Sequence, residues 1–246
     1  MQRSSGGASF IGPTGDRPLS ASLALRREIV TVCRRLWERG LIAGQDGNVS
    51  VRLPGNRLLV TPAGMSKVDV GPYDLVELSI DGAPRRGARR ASSEVSMHLR
   101  IYRRRPDVMA VVHAHPPTAT GFAVAGEGLV ACVLPEVIFQ VGQVPLLRYA
   151  TPGSEALADT FEPYLATHDA FLLANHGATT IGPSLLLAHQ RMESLEHAAR
   201  ILLTARLLGR VNVLDGEEVR ALEAARQRAG LGGPYPGCPT TGGKRE

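Results

Sequence analysis

The chain has 246 residues, 43% hydrophobic and 21% charged, which is enough apolar content to bury a full core in one domain. Its formal charge of +5 rests mostly on arginine, in clusters such as RRGARR (85–90) and RRR (103–105) that read as solvated loop and helix-end charge rather than a nucleic-acid surface. No apolar run is long enough to span a membrane, no secretory signal opens the chain, and three scattered cysteines form no CxxC pair or disulfide framework, so a reduced, cytoplasmic protein with no nucleic-acid or membrane partner is expected.

Residues 1–19 and 231–246 read as a flexible leader and tail around one domain at 20–230. The first helix is predicted to start near Ser20 or Ser22, with Leu25, Ile29, Val32, Cys33 and Leu36 as its apolar stripe and Gly40 closing it. NVSVRL and RLLVTP follow as paired strands joined by the turn PGN (54–56), and DLVELSI is a third strand ending in the turn DGAP. SSEVSMHLRIYRRRPD predicts a helix capped by Ser92 or Ser93, with Val95, Leu99 and Tyr102 facing inward. VMAVVHAH reads as a buried strand stopped by Pro116 and Pro117. Next, TATGFAVAG looks helical, LVACVL strand-like and VPLLRYA a further strand, while GSEALADTFEPYLATH starts a helix at the Gly153–Ser154 cap. AFLLANHGATTIG gives a buried strand, a turn and another strand. Helical periodicity then runs from Ser184 to Leu208, and DGEEVRALEAARQRAG adds a short last helix. Strands and helices mix without regular βαβ alternation, which argues for one α/β domain with a largely antiparallel sheet.

His113 and His115 stand two residues apart on the buried strand, so both imidazoles face the same side. Such a pair suits a divalent metal, and by itself it equally suits two hydrogen-bonded histidines at a sheet edge. His176 also ends an apolar segment and precedes Gly177, where the backbone can turn closely, which makes it the natural third ligand. Three protein ligands with one position left open is the catalytic pattern for zinc. Glu94 falls, by pattern, in the first turn of the helix leading back to the histidine strand. There it complements the helix dipole and can reach the metal as a displaceable ligand or general base.

GNVS (47–50) and PAGMSK (62–67) combine glycine with amide, hydroxyl or ammonium groups at strand edges, and Ser92 and Ser93 add hydroxyls at a helix start. Asn48, Gly64, Lys67, Ser92 and Ser93 are therefore candidates for binding an anionic substrate group, although each segment alone is also ordinary turn chemistry. The sequence has no GxxxxGK[ST] loop, no GxGxxG after a strand and no GxSxG elbow, so nucleotide and serine-hydrolase readings lack support.

Taken together, DGNVSVR, LLVTPAGMSK, SSEVSMHLRIYRRRPDVMAVVHAHPP, YATPGSEALA and LLANHGATTIG resemble the class II aldolase and adducin family, and within it the L-fuculose-1-phosphate aldolase branch. The resemblance spans roughly residues 22 to 210. It implies a three-layer α/β/α sandwich around a mostly antiparallel sheet, and a homotetramer with sites between subunits. By position, His113, His115 and His176 match the family's zinc ligands, Glu94 its catalytic acid–base, and Asn48, Gly64, Ser92 and Ser93 its phosphate site. Tyr235, the one tyrosine of the tail, is matched to a tyrosine that a neighbouring subunit supplies for proton transfer at the aldehyde-side oxygen. Two positions depart from the pattern: Ala63 stands where phosphate-binding members commonly carry serine or threonine, and Gln45 replaces a threonine of the fuculose enzyme. A hydroxyl donor lost to an anion removes on the order of 1.5–3 kcal/mol unless Lys67 or an arginine replaces it.

The implied reaction is zinc-dependent, reversible cleavage of a ketose 1-phosphate to dihydroxyacetone phosphate and a hydroxyaldehyde. Dehydratases, decarboxylases and pentulose-phosphate 4-epimerases use the same ligands on the same scaffold, although the epimerases' His-Ala-Asp segment is not found here. A non-catalytic adducin-like binding module would lack the three histidines, all of which are present.

Overall fold

Alternating residues along the central strands send one apolar set to each side, and helices cover both sides. The computed structural model describes residues 17–86, 89–231 and 237–238. In chain order the elements are α1 (Arg17–Glu38), β1 (Asn48–Leu53), β2 (Arg57–Val60), β3 (Val76–Ser79), β4 (Pro84–Arg86), α2 (Val95–Arg104), β5 (Ala110–Ala114), α3 (Pro117–Val124), α4 (Pro135–Gln140), β6 (Leu146–Leu147), α5 (Glu155–Asp159), β7 (Ala170–Leu173), β8 (Gly177–Gly182), α6 (Leu185–Leu207) and α7 (Gly216–Arg228). The strands form one sheet in the order β4-β3-β2-β1-β5-β8-β7-β6, antiparallel throughout except for the β6–β7 pair. The fold is thus the expected α/β/α sandwich.

On one face, Val49 and Val51 of β1, Ala110 and Val112 of β5 and Leu172 of β7 pack against Ile29 and Leu36 of α1, Phe122 of α3 and Met192 and Leu195 of α6. On the other, Val111, Phe171 and Ile181 pack against Met97, Ile101 and Tyr102 of α2 and Leu157 of α5. Antiparallel pairing aligns Asn48 with His113 and His113 with Thr179, so the ends of β1, β5 and β8 converge at one place. Three helix starts follow local rules: Ser154 and Ser184 each accept the N–H three residues on, and Asp215 forms a capping box with Glu218.

Several expectations are corrected. The first helix begins at Arg17, inside the segment read as leader. Neither Ser92 nor Ser93 caps α2; Glu94 occupies its N-cap position, one residue before the helix rather than in its first turn. LVACVL forms no strand, since Leu129 makes only an isolated bridge to Val144. Its apolar side chains are drawn elsewhere: Cys132 joins Ile138 of α4 and Val219 of α7 in a small separate cluster, and Pro135 starts α4. VPLLRYA contributes only the two residues of β6. The edge strand β4 was not expected, because Pro84, Arg85 and Arg86 are all exposed and carry no apolar signal.

The cysteine expectation also fails. Cys132 and Cys238, 106 residues apart, form a disulfide with a Cα–Cα distance of 6.0 Å, while Cys33 stays free and buried. Among the described residues, no helix is long and apolar enough to cross a membrane.

Candidate metal centre and active site

His113 lies on β5, on the sheet face covered by α2, and His115 follows just past the strand, held by its N–H to the Leu41 carbonyl at 2.9 Å. His176 arrives from the turn between β7 and β8, where Asn175 adopts a left-handed φ of 56° and the His176 N–H closes on the Leu173 carbonyl at 3.0 Å. Gly177 is needed next to it: a Cβ there would lie 2.6 Å from both the Ala114 carbonyl and His115 Cδ2. The three rings stand 4.8–5.1 Å apart by centroid, and one ligand nitrogen from each falls within 4.8 Å of the others.

Hydrogen bonds decide which nitrogens are free. His113 Nδ1 sits 2.9 Å from the Ala178 carbonyl, an acceptor, so it carries the proton and leaves Nε2 as a bare lone pair. That Nε2 faces His115 Nε2 at 3.2 Å and Glu94 Oε2 at 3.2 Å. His176 Nε2 lies 3.1 Å from Glu94 Oε1. Electron pairs converging at such distances repel unless a cation lies among them, so the donor set fits a divalent metal.

Burial, opposed by the acidic groups nearby, pulls His115 down to about 4, which keeps it the neutral imidazole a metal requires. For Glu94, burial raises the carboxyl, but the imidazoles of His113 and His176 beside it pull the other way, and the net shift is downward from the usual carboxylate value.

The other expected residues fall into two groups. Asn48 is buried, and its amide donates to Glu94 Oε2 at 2.8 Å, orienting the carboxylate from β1. Lys67 is buried too, with its ammonium on the Gln45 and Met65 carbonyls at 2.8 and 2.9 Å. It ties together the two loops that hold Asn48 and Gly64. Burial lowers its pKa from the ordinary value, against the opposing pull of Cys33, Asp46 and Glu94. A Pro62–Ala91 bridge and the Ala63 N–H to the Arg90 carbonyl lay the Gly64 loop beside Ser92 and Ser93. Ser92 Oγ accepts weakly from the Glu94 N–H at 3.4 Å, and Ser93 is exposed. Tyr235 lies outside the described residues.

Sequence reasoning missed two features. One is Asp46, whose Oδ2 lies 3.3 Å from His115 Nδ1. The other is a buried chain behind Glu94, in which Ser50 Oγ meets His98 Nδ1 at 2.6 Å and the Tyr102 hydroxyl at 2.9 Å. His98 was legible in principle, since it follows Glu94 by one helical turn on the same face. No local pattern marks Asp46.

The family model for the Class II Aldolase and Adducin N-terminal domain matches residues 27–203. A 3-oxo-tetronate 4-phosphate decarboxylase of Escherichia coli is 36% identical over 184 residues, covering 73% of this chain and 86% of the relative. A 5-deoxy-D-ribulose 1-phosphate aldolase of Bacillus thuringiensis is 33% identical over 198 residues, covering 80% and 92%. Among solved structures, an L-fuculose-1-phosphate aldolase of Thermus thermophilus superposes with a TM-score of 0.68 at 34% identity, covering 79% of this chain and all of that one. The sandwich fold agrees with these matches, and the chain belongs to the class II aldolase and adducin family.

Proposed function

We propose that the protein is a zinc-dependent carbon–carbon lyase that cleaves a ketose 1-phosphate of the L-fuculose 1-phosphate type to dihydroxyacetone phosphate and a hydroxyaldehyde. The observation that carries this reading is the convergence of the His113, His115 and His176 Nε2 atoms with Glu94 at one place. A divalent cation held there supplies a Lewis acid that polarises the substrate carbonyl and stabilises negative charge developing beside it.

The chain's own residues supply the rest. Glu94 is 8% exposed and ionised, and it is the group in reach that can carry a proton to and from the three-carbon fragment. Asn48 holds the Glu94 carboxylate in place through its 2.8 Å bond. Ser92, Ser93 and the Gly64 loop, laid side by side, receive the phosphate, and Lys67 fixes the loops behind it. Tyr235 is assigned the proton transfer at the aldehyde-side oxygen, from a neighbouring subunit of a homotetramer. Zinc as the metal belongs to the same reading.

A second reading has its own support: the decarboxylase relatives favour loss of carbon dioxide from a phosphorylated 3-oxo acid. Both reactions leave the electron pair of the broken bond beside a polarised carbonyl, so the same centre serves either. Incubating the zinc-loaded protein with ketose 1-phosphates and with phosphorylated 3-oxo acids, following aldehyde and carbon dioxide separately, decides between them. Aldehyde from the ketose phosphates supports the aldolase reading. Carbon dioxide alone supports the second, and neither product from any substrate refutes both.

A further inference from the structure

The three ligand histidines are braced in three different ways. His113 gives its Nδ1 proton to the main-chain carbonyl of Ala178. His176 Nδ1 is buried with no hydrogen-bond partner among the described residues. Of the three, His115 has a carboxylate beside its Nδ1, Asp46 Oδ2 at 3.3 Å. Since a carboxylate only accepts, Nδ1 of His115 carries the proton and Nε2 is the free lone pair, directed at His113 Nε2 at 3.2 Å.

We propose that Asp46 is a positioning residue of the metal centre, fixing the tautomer and ring orientation of His115 and raising its strength as a ligand. The inference rests on the metal reading of the three-histidine site. A carboxylate on the far nitrogen of a metal-bound imidazole keeps the ring from rotating and pushes electron density toward the metal. His115 needs this most, because its side chain is 25% exposed where that of His113 is fully buried, so packing alone holds its ring least.

The place of Asp46 is itself secured. Its N–H closes a turn on the Ala43 carbonyl at 2.9 Å, and Lys67 holds the preceding Gln45 carbonyl at 2.8 Å. The carboxylate is 45% exposed, so it stands at the rim of the site without the cost of a buried charge. Glu94 takes its orienting bond from a different residue, Asn48, at 2.8 Å. Orientation of the acid–base and orientation of the exposed ligand are therefore separate tasks, given to Asn48 at the start of β1 and to Asp46 in the turn before it.

The test is competition for zinc between the protein and a chromophoric chelator, with the absorption spectrum of the cobalt-loaded protein as a second readout. Asp46→Ala should weaken zinc binding roughly 10–100-fold and alter the cobalt bands, because His115 is freed to turn. Asp46→Asn keeps an oxygen acceptor at nearly the same place and should recover part of the affinity and most of the spectrum. Being half exposed, the position tolerates both changes, and the asparagine variant separates lost positioning from lost folding. Wild-type zinc affinity and an unchanged cobalt spectrum in Asp46→Ala, with binding abolished in His113→Ala, would overturn this proposal and leave the metal reading standing. Wild-type protein that takes up no zinc would overturn both.

Discussion

Gly47 and Gly44 lie three residues apart in the loop that enters β1, and both have left-handed backbones, with φ of +71° and +52°. Either one replaced by alanine pays the left-handed penalty of about 1–2 kcal/mol. Only Gly47 has no room: a Cβ there would sit 2.8 Å from the His113 carbonyl and 2.8 Å from Ile42 Cγ2, whereas nothing lies within 4 Å of one at Gly44. Overpacking adds about 1–3 kcal/mol at such a site, so Gly47→Ala should cost about 2–5 kcal/mol against about 1–2 for Gly44→Ala. The displaced loop also carries Asp46 and Asn48, so metal affinity should fall in Gly47→Ala and hold in Gly44→Ala. Urea denaturation of both variants, with zinc titration of each, is the assay. Equal costs, or full zinc affinity in Gly47→Ala, would refute the claim that close packing of this loop shapes the site.

Glu94→Gln should lower turnover by roughly 10²–10⁴-fold, the share of a general acid–base, while stability changes by about 1 kcal/mol or less; steady-state kinetics beside a melting curve measures both. Acidification should destabilise the metal-free protein below pH 6.5. Burial keeps His98 neutral, pushed down to about 3, and His115 to about 4, so the unfolded chain binds protons that the folded one refuses. Each histidine then removes up to about 1.4 kcal/mol per pH unit, and a denaturation midpoint unchanged between pH 7.5 and 5.5 would contradict this. Reduction of the Cys132–Cys238 disulfide, which closes a loop across 106 residues, should destabilise the wild type by up to about 4–5 kcal/mol and leave Cys132→Ser unaffected. Denaturation of both proteins with and without reductant reads this directly.

The histidine centre was legible because its signals are local: a His-x-His on a valine-rich strand, and a histidine before a glycine at the end of another. The cap at Ser154 was legible for the same reason, since it acts within three residues. What the sequence hid depends on contacts made across the fold. LVACVL has a strand's composition, yet the contact of Cys132 with α7 and the start of α4 at Pro135 outweigh that propensity. The disulfide joins residues with no spacing signature. Asp46 looks like a turn residue until β1 and β5 pair and carry it to His115. Lys67 has the composition of an anion binder, but its ammonium is occupied by two carbonyls of the loops it joins.

The central claim is that three imidazoles hold one divalent cation at the shared ends of β5 and β8. Metal content by mass spectrometry of the purified protein and of His113→Ala, each dialysed against metal-free buffer, tests it most directly. The account predicts close to one zinc per chain in the wild type and a near-complete loss in the variant. Full occupancy in His113→Ala, or no metal in a folded wild type supplied with zinc, would contradict it.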